Sequence, residues 1–177
     1  MLQREFTEEQ HMFRDAYRKF LAAQIVPHME SWREAGIVDR AAFRRAGEQG
    51  FLMIWPDEKY GGTGDADFRF EQIIIEETNY ARAGDWFNTL HSRLVGPYLT
   101  RFGNEEQCQR LLPKCVTGEH ILAIAMTEPD AGSDLAGMRS SAVEQGDHWL
   151  LNGSKTFISN GINADIVIVA AKTDPEH

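Results

Sequence analysis

Cysteine, basic excess and long apolar runs are all scarce in this sequence, and each scarcity removes a class of function. Only two cysteines occur in 177 residues, too few for a disulfide framework. Cys108 and Cys115 stand seven positions apart in a helix-like stretch. At ~1.5 Å of rise per residue that spacing is roughly 10 Å, beyond disulfide reach. Both are read as reduced, partly buried thiols of a cytoplasm-like compartment. No apolar run approaches the ~20 residues of a membrane helix. The opening MLQREFTEEQ has neither a basic n-region nor an apolar h-region, so it is not a signal peptide. The expectation is a soluble, cytoplasmic protein with no membrane partner.

Basic side chains are outnumbered, 18 Lys and Arg against 27 Asp and Glu, for a net charge of −9. Nucleic acids and anionic membranes need a basic face, so neither is an expected partner. A small anionic ligand stays open, because amides or one Arg can hold a phosphate within an acidic protein. The six histidines are dispersed without metal-ligand spacing, so no metal is expected, and His28 and His91 are read as solvated or capped. Gly61, Gly62 and Gly64 lack the spacing of either phosphate-loop fingerprint and read as a plain turn. What remains, 42% hydrophobic and 25% charged residues, is the balance of a globular chain rather than a disordered one. Its length allows one domain or two small ones, each with a core.

Helical signals fill the first two-thirds. Thr7 with Gln10 is a capping-box start, and Phe13, Tyr17, Phe20, Leu21 and Ile25 form one apolar stripe. Pro27 should kink or restart this helix. Asp39 caps a second, short helix through Phe43 and Ala46, closed by Gly50. A third is expected over 68–82 with Ile73, Ile74, Ile75 and Tyr80 inside, leaving Glu71, Glu76 and Glu77 on a solvated face. A fourth, over 85–101, carries Trp86, Leu90, Leu94 and Leu99 and is interrupted by Gly96-Pro97. Asn104 caps a fifth, which Gly118 ends. After residue 119 the character changes. ILAIAM, RSSAVEQ, HWLLNG, KTFISN and DIVIVAAK are short, rich in β-branched residues and separated by Gly, Asn and Asp, so all five read as strands. The division is residues 1–119 helical and 120–177 β.

Two elements carry chemistry. In IAMTEPDAGSD a strand delivers Thr127, Glu128 and Pro129 into a turn of small residues. There a ligand can approach the backbone, and successive amides form an anion site. Thr127 and Ser133 add hydroxyls. The same residues also make an ordinary β-turn with Asp and Ser caps. In KTFISNG, read as a strand, Phe157 and Ser159 project to one face. The ring could lie on an aromatic cofactor while the hydroxyl meets its edge, or the pair could be one core and one surface residue.

Both elements, in this order and spacing, resemble the acyl-CoA dehydrogenase family. AIAMTEPDAGSDLAG, WLLNGSKTFISNG and DIVIVAA look most like its long-chain branch. VPHMESWREAG, FRRAGEQGFLMIWPDEKYGGTG and FGNEEQCQRLLPK follow the family's N-terminal helices, so the resemblance covers nearly the whole chain. It implies an α+β fold, an N-terminal all-α helical domain followed by an incomplete antiparallel β-barrel-like domain. It also implies non-covalent FAD. Ile124, Ala125, Met126, Thr127, Gly132 and Ser133 would line the isoalloxazine and pyrophosphate, with Thr127 at the pyrimidine end and Ser133 where the flavin and CoA phosphates converge. Phe157, Ile158 and Ser159 would flank the ring, Phe157 packing on it and Ser159 near N5. Many relatives carry Trp and Thr where Phe157 and Ser159 stand.

The implied reaction is α,β-dehydrogenation of a fatty acyl-CoA to the trans-2-enoyl-CoA, as in fatty acid β-oxidation. Electrons would pass to an electron-transferring flavoprotein, and the full-length form would be a homotetramer or homodimer. In the family the catalytic base is a Glu of the C-terminal helical domain. None of Glu71, Glu76, Glu77 or Glu128 aligns with it, so no catalytic residue is assigned. The expectation is a fragment, inactive alone, whose unfinished sheet exposes an edge and an apolar face. Its last residues, DPEH, would form a loop between strands. Leu90–Leu99 is a candidate wall of the acyl groove, where Gly96-Pro97 either makes an ordinary helix kink, the commoner case, or opens the groove for a long chain. The alternatives are a same-fold flavin oxidase and a non-catalytic flavin/CoA-binding or interaction remnant.

Overall fold

The computed structural model describes residues 5–64 and 67–174. Helix α1, Glu8–Phe20, begins as the capping box predicts: Gln10 N donates to Thr7 Oγ1 at 3.3 Å and Thr7 N to Gln10 Oε1 at 3.1 Å. It loosens into a π-turn, Leu21–Ile25, and a 3-10 turn, Val26–His28, that holds Pro27, and the chain then restarts as α2, Met29–Ala35. Asp39 caps α3, Arg40–Glu48, by accepting from Ala41 N at 2.9 Å.

Helix α4, Phe68–Tyr80, departs from its expected faces. Ile73 and Ile74 are buried, but Ile75 is 37% and Tyr80 77% exposed, while Glu71 and Glu77 are only 3% exposed. The inward stripe is Phe70, Glu71, Ile74, Glu77 and Thr78, spaced three and four apart, with two acids on the core side. Glu77 is matched from α1: Arg18 donates to its two oxygens at 2.5 and 2.9 Å. The adjoining Tyr17 hydroxyl meets Thr78 Oγ1 at 2.8 Å and accepts from Asn88 at 3.1 Å. A polar ladder thus fixes the register of α1 on α4. Glu71 has no hydrogen-bond partner among the described residues; burial raises its carboxyl pKa, against the pull of Arg93.

The expected fourth helix is broken into a 3-10 turn, Gly84–Trp86, a π-segment, Leu90–Val95, and α5, Gly96–Phe102. Trp86 is fully buried, whereas Leu94 is 54% exposed. Gly96 opens no groove. A Cβ there would meet Met53 Cε at 2.9 Å and Trp55 Cζ2 at 3.1 Å, so the position is small because two core side chains lie on it. Asn104 caps α6, Glu105–Val116, with a full capping box. Both cysteines lie on α6 as free, buried thiols.

Four strands follow: β1 Leu122–Ala125, β2 Ser141–Gln145, β3 His148–Asn152 and β4 Ile166–Val169. β2 and β3 form an antiparallel hairpin, but β1 pairs with β4 in parallel, Leu122 opposite Ile166. The antiparallel barrel-like expectation is corrected accordingly. The described residues hold two two-stranded sheets and no closed sheet, joined where Ala142 N donates to Lys172 O at 2.8 Å. The segment from 126 to 165 is the crossover that a parallel pair requires.

KTFISN is not a strand. Phe157 and Asn160 take positive φ, 57° and 62°, and the Asn160 amide donates to Leu122 O at 3.3 Å in place of any ladder. Its β-branched composition is overruled by these tertiary bonds. Beyond Asp174, the expected DPEH loop lies outside the described residues.

Two apolar clusters hold the molecule. One joins Tyr17, Phe20, Leu21, Phe43, Phe51, Trp86 and Ile121. The other joins Met53, Val95, Cys108, Leu112, Cys115 and Leu122, with Ile124, Ile166 and Ile168 against it. The core therefore runs from the helices into the β1–β4 pair without a break. The hairpin's Trp149, Leu150 and Leu151 stay about half exposed.

Candidate functional site

β1 ends at Ala125, and the chain runs through Met126 and Thr127 into a turn closed by Glu128 N to Ala131 O at 2.7 Å. The turn is folded around the Glu128 side chain, which is 6% exposed. Its carboxylate accepts from Arg139 N at 2.6 Å, from Ser140 N at 2.9 Å and from Lys155 Nζ at 2.8 Å. The Arg139 amide first, then Lys155 and Ser140, hold this carboxyl well below the usual range. Lys155 Nζ also donates to Met126 O at 2.9 Å. One buried ion pair therefore ties the first motif to the second, and Thr156 N to Thr127 O at 3.0 Å adds a backbone tie.

Neither Glu128 nor Lys155 stood among the candidate site residues. The signal was present in an acid inside the turn and a lysine heading the second motif. Because Lys155 is left without its charge partner, Glu128→Gln is expected to lower the thermal midpoint by several degrees, as breaking a buried pair from one side does. Scanning calorimetry checks this, with the exposed pair variant Lys59→Met expected near wild type.

The candidate residues fall into three places. Ile124 and Met126 line a groove of about 520 Å³ with Tyr98, Phe102 and Ile168. Phe157, Ile158 and Ser159 line another, of about 390 Å³, whose far wall is Trp32, Ile37 and Phe87. Gly132 and Ser133 sit exposed on the turn, and a Cβ at Gly132 would meet nothing within 4 Å. Ala125 is buried, so it offers a ligand only its backbone. The backbone brings the two motifs side by side, but their side chains open into different grooves. Phe157 and Ser159 do not share a strand face. Phe157 is 95% exposed on a left-handed backbone.

Beside the lacing, the buried hydroxyl of Thr156 has no hydrogen-bond partner among the described residues. An exposed aromatic, an orphaned hydroxyl and an unobstructed Gly-Ser turn fit a flat ligand with polar edges and phosphates. As for other ligating groups, the described residues hold no cluster of His, Cys, Asp and Glu suited to a metal.

The two singled-out histidines differ. His28 is exposed and stacks on Trp32 at 5.6 Å. His91 is fully buried rather than solvated. Its Nε2 donates to Cys115 O at 3.0 Å and its Nδ1 accepts from Leu122 N at 3.1 Å. That pattern demands the neutral Nε2–H tautomer and joins the end of α6 to the first residue of β1.

These features define a mixed helical and β chain in which a turn of small residues is laced to a second exposed turn. Residues 7–119 match the N-terminal domain of acyl-CoA dehydrogenases, and residues 123–177 match their middle domain. This chain belongs to the acyl-CoA dehydrogenase family. It is 43% identical over 175 residues to the long-chain specific acyl-CoA dehydrogenase, mitochondrial, of Sus scrofa, covering 99% of this chain and 40% of that protein. Among solved structures it resembles an acyl-CoA dehydrogenase from Geobacillus kaustophilus, with a TM-score of 0.93 and 51% identity over 98% of this chain and 46% of the other. It also resembles a glutaryl-CoA dehydrogenase from Mycobacterium smegmatis in complex with FADH2, with a TM-score of 0.86 and 28% identity over 96% of this chain and 44% of that one. The chain thus spans about two-fifths of the length of the curated relatives it matches.

Proposed function

We propose that this chain supplies the N-terminal domain and the first part of the middle domain of an FAD-dependent dehydrogenase of long-chain fatty acyl-CoA. The observation that carries the reading is the lacing of two motifs, through Lys155, Glu128 and the Thr156–Thr127 backbone bond, around the open turn at Gly132 and Ser133. Bound FAD would supply the redox chemistry, accepting the hydride lost from the β-carbon of the acyl chain. The residues of this chain bind and orient. Thr127 and Ser133 would offer hydroxyls to polar edges and phosphates, the turn amides would hold anionic oxygens, and Phe157 would offer its exposed ring to the flavin. Ser133 also meets the CoA phosphates.

The carboxylates weighed as bases are placed for other work. Glu128 is locked in the turn, Glu77 is paired with Arg18, Glu76 with Arg14, and Glu71 is buried on α4 beside Trp55 and Arg93. The reading therefore gives none of these four the removal of the α-proton. Onward transfer to an electron-transferring flavoprotein and assembly as a homodimer or homotetramer belong to the same reading.

The test is flavin content and substrate preference in an enzyme that joins this chain to an acid-bearing C-terminal helical domain. Extracted flavin should be FAD, and acyl-CoA should bleach it fastest when the acyl chain is palmitoyl. Bleaching fastest with isovaleryl-CoA would overturn the long-chain assignment, and protein without flavin would overturn the cofactor.

A further inference from the structure

We infer that Arg40 is a positioning residue for the turn that presents Phe157 and Ser159, holding that turn to the helical body from the far side. The inference rests on the flavin reading above only for its functional consequence.

The segment Thr156–Asn163 has two attachments. Its start is fixed to β1 and the loop that follows it, through Thr156 N on Thr127 O and Lys155 on Met126 O. Its end is fixed to the helices through Arg40, the first residue of α3. One guanidinium nitrogen donates to Asn163 O. The other donates to Glu119 O at 3.0 Å and to Asp165 Oδ2 at 2.7 Å.

Two further bonds complete the clasp. The buried Asn163 amide donates to Val38 O, and the Asp165 carboxylate also accepts from Ile121 N at 2.8 Å. Arg40 thereby touches the α6–β1 junction, the end of the turn and the entry to β4 at once, which a planar fork of fixed donors can do and a single ammonium cannot.

Between the two attachments the turn is held mostly by itself, by Gly161 N on Ile158 O and Asn163 N on Asn160 O, each at 2.9 Å, and by the Asn160 side chain on Leu122 O. Phe157 and Ile162 project from it at 95% and 81% exposure. Their place relative to Trp32, Ile37 and Phe87 across the groove is therefore set by Thr156 and Asn160 from the β1 side and by the pin at Asn163 from the helical side. A displacement at the pin moves the ring and the Ser159 hydroxyl together, and small misplacements of such groups are costly to a bound ligand.

Arg40→Met and Arg40→Lys, compared with Lys59→Met as a more exposed ion-pair control, test the inference in two ways. Amide exchange without cofactor is expected to speed up about tenfold at Gly161, Asn163 and Ile166 in Arg40→Met, to be partly restored in Arg40→Lys, and to stay at wild-type values within α1 and α4. The dissociation constant for FAD is expected to rise about tenfold in Arg40→Met and not in Lys59→Met. Unchanged exchange at Gly161 and Asn163 would overturn the inference, as would uniform acceleration across the helices, which marks general destabilisation. If the wild-type protein takes up no FAD, the flavin reading fails while the exchange comparison still decides the role of Arg40.

Discussion

Lowering the pH from 7 to 4 is expected to remove about 3 kcal/mol of folding free energy through His91 alone. Burial pushes the imidazole pKa down from 6.5 to about 4, against the bond to Cys115 O, which pulls it up. The ring is neutral in the native protein, where Nδ1 must accept from Leu122 N. Protonation would set an N–H against that N–H. The unfolded chain binds the proton near pH 6.5 and the native protein only near pH 4. The unfolded state is therefore favoured progressively as pH falls through that window, and above it His91 adds no pH dependence to stability.

Urea unfolding of wild type and His91→Asn at several pH values isolates the contribution. The variant keeps an acceptor for Leu122 N and loses the titration. It should be weaker at pH 7 but should converge on wild type near pH 4. Parallel pH profiles would show that His91 does not carry the acid sensitivity.

Gly118→Ala is the substitution expected to cost most among the glycines, about 4 kcal/mol. Two effects combine there. The backbone is left-handed, with φ of 72°, and a Cβ would stand 2.2 Å from Phe43 O and 2.4 Å from Phe43 C, where only backbone could give way. Gly36 separates the two effects, since its φ of 68° is similar but nothing lies within 4 Å of its Cβ position. Gly36→Ala should cost only about 1 kcal/mol. Denaturant midpoints at pH 7 decide it, and equal losses for the two variants would mean that α3 does not press on the α6–β1 corner as described.

How much was legible in the sequence divides along physical lines. Local rules were readable because their partners are near in sequence: Thr7 with Gln10, Asn104 with Gln107, Asp39 with Ala41, and the restart at Pro27. The strands Leu122–Ala125, Ser141–Gln145, His148–Asn152 and Ile166–Val169 all fall within the short apolar or β-branched runs set off by turn residues. Long-range matches were not readable. Glu77 looked solvated because Arg18, its partner, lies 59 positions away. His91 looked solvated because its two partners come from α6 and β1. KTFISN looked extended because nothing local announces that Asn160 reaches Leu122 O and Arg40 holds Asn163. The parallel β1–β4 pair was hidden for the same reason, its strands lying more than forty residues apart with a hairpin between them.

In the site, the small residues of the Thr127–Ser133 turn were legible, and the Glu128–Lys155 pair that shapes it was not. Glu128 stood in the sequence only as a turn residue, and its partners, the amides of Arg139 and Ser140 and the Lys155 ammonium, lie 11 to 27 positions away. At Gly96 the sequence offered both a helix kink and an opening for a ligand, and the space beside it is taken by Met53 and Trp55.

The central claim is that residues 124–134 and 155–161 form one flavin cradle, although their side chains face two grooves. Amide exchange with and without saturating FAD tests it most directly. The account predicts slowed exchange in both segments together, around Thr127 to Ser133 and around Thr156 to Gly161, with α1 and α4 unaffected. Protection confined to one segment, or found only elsewhere, would contradict it.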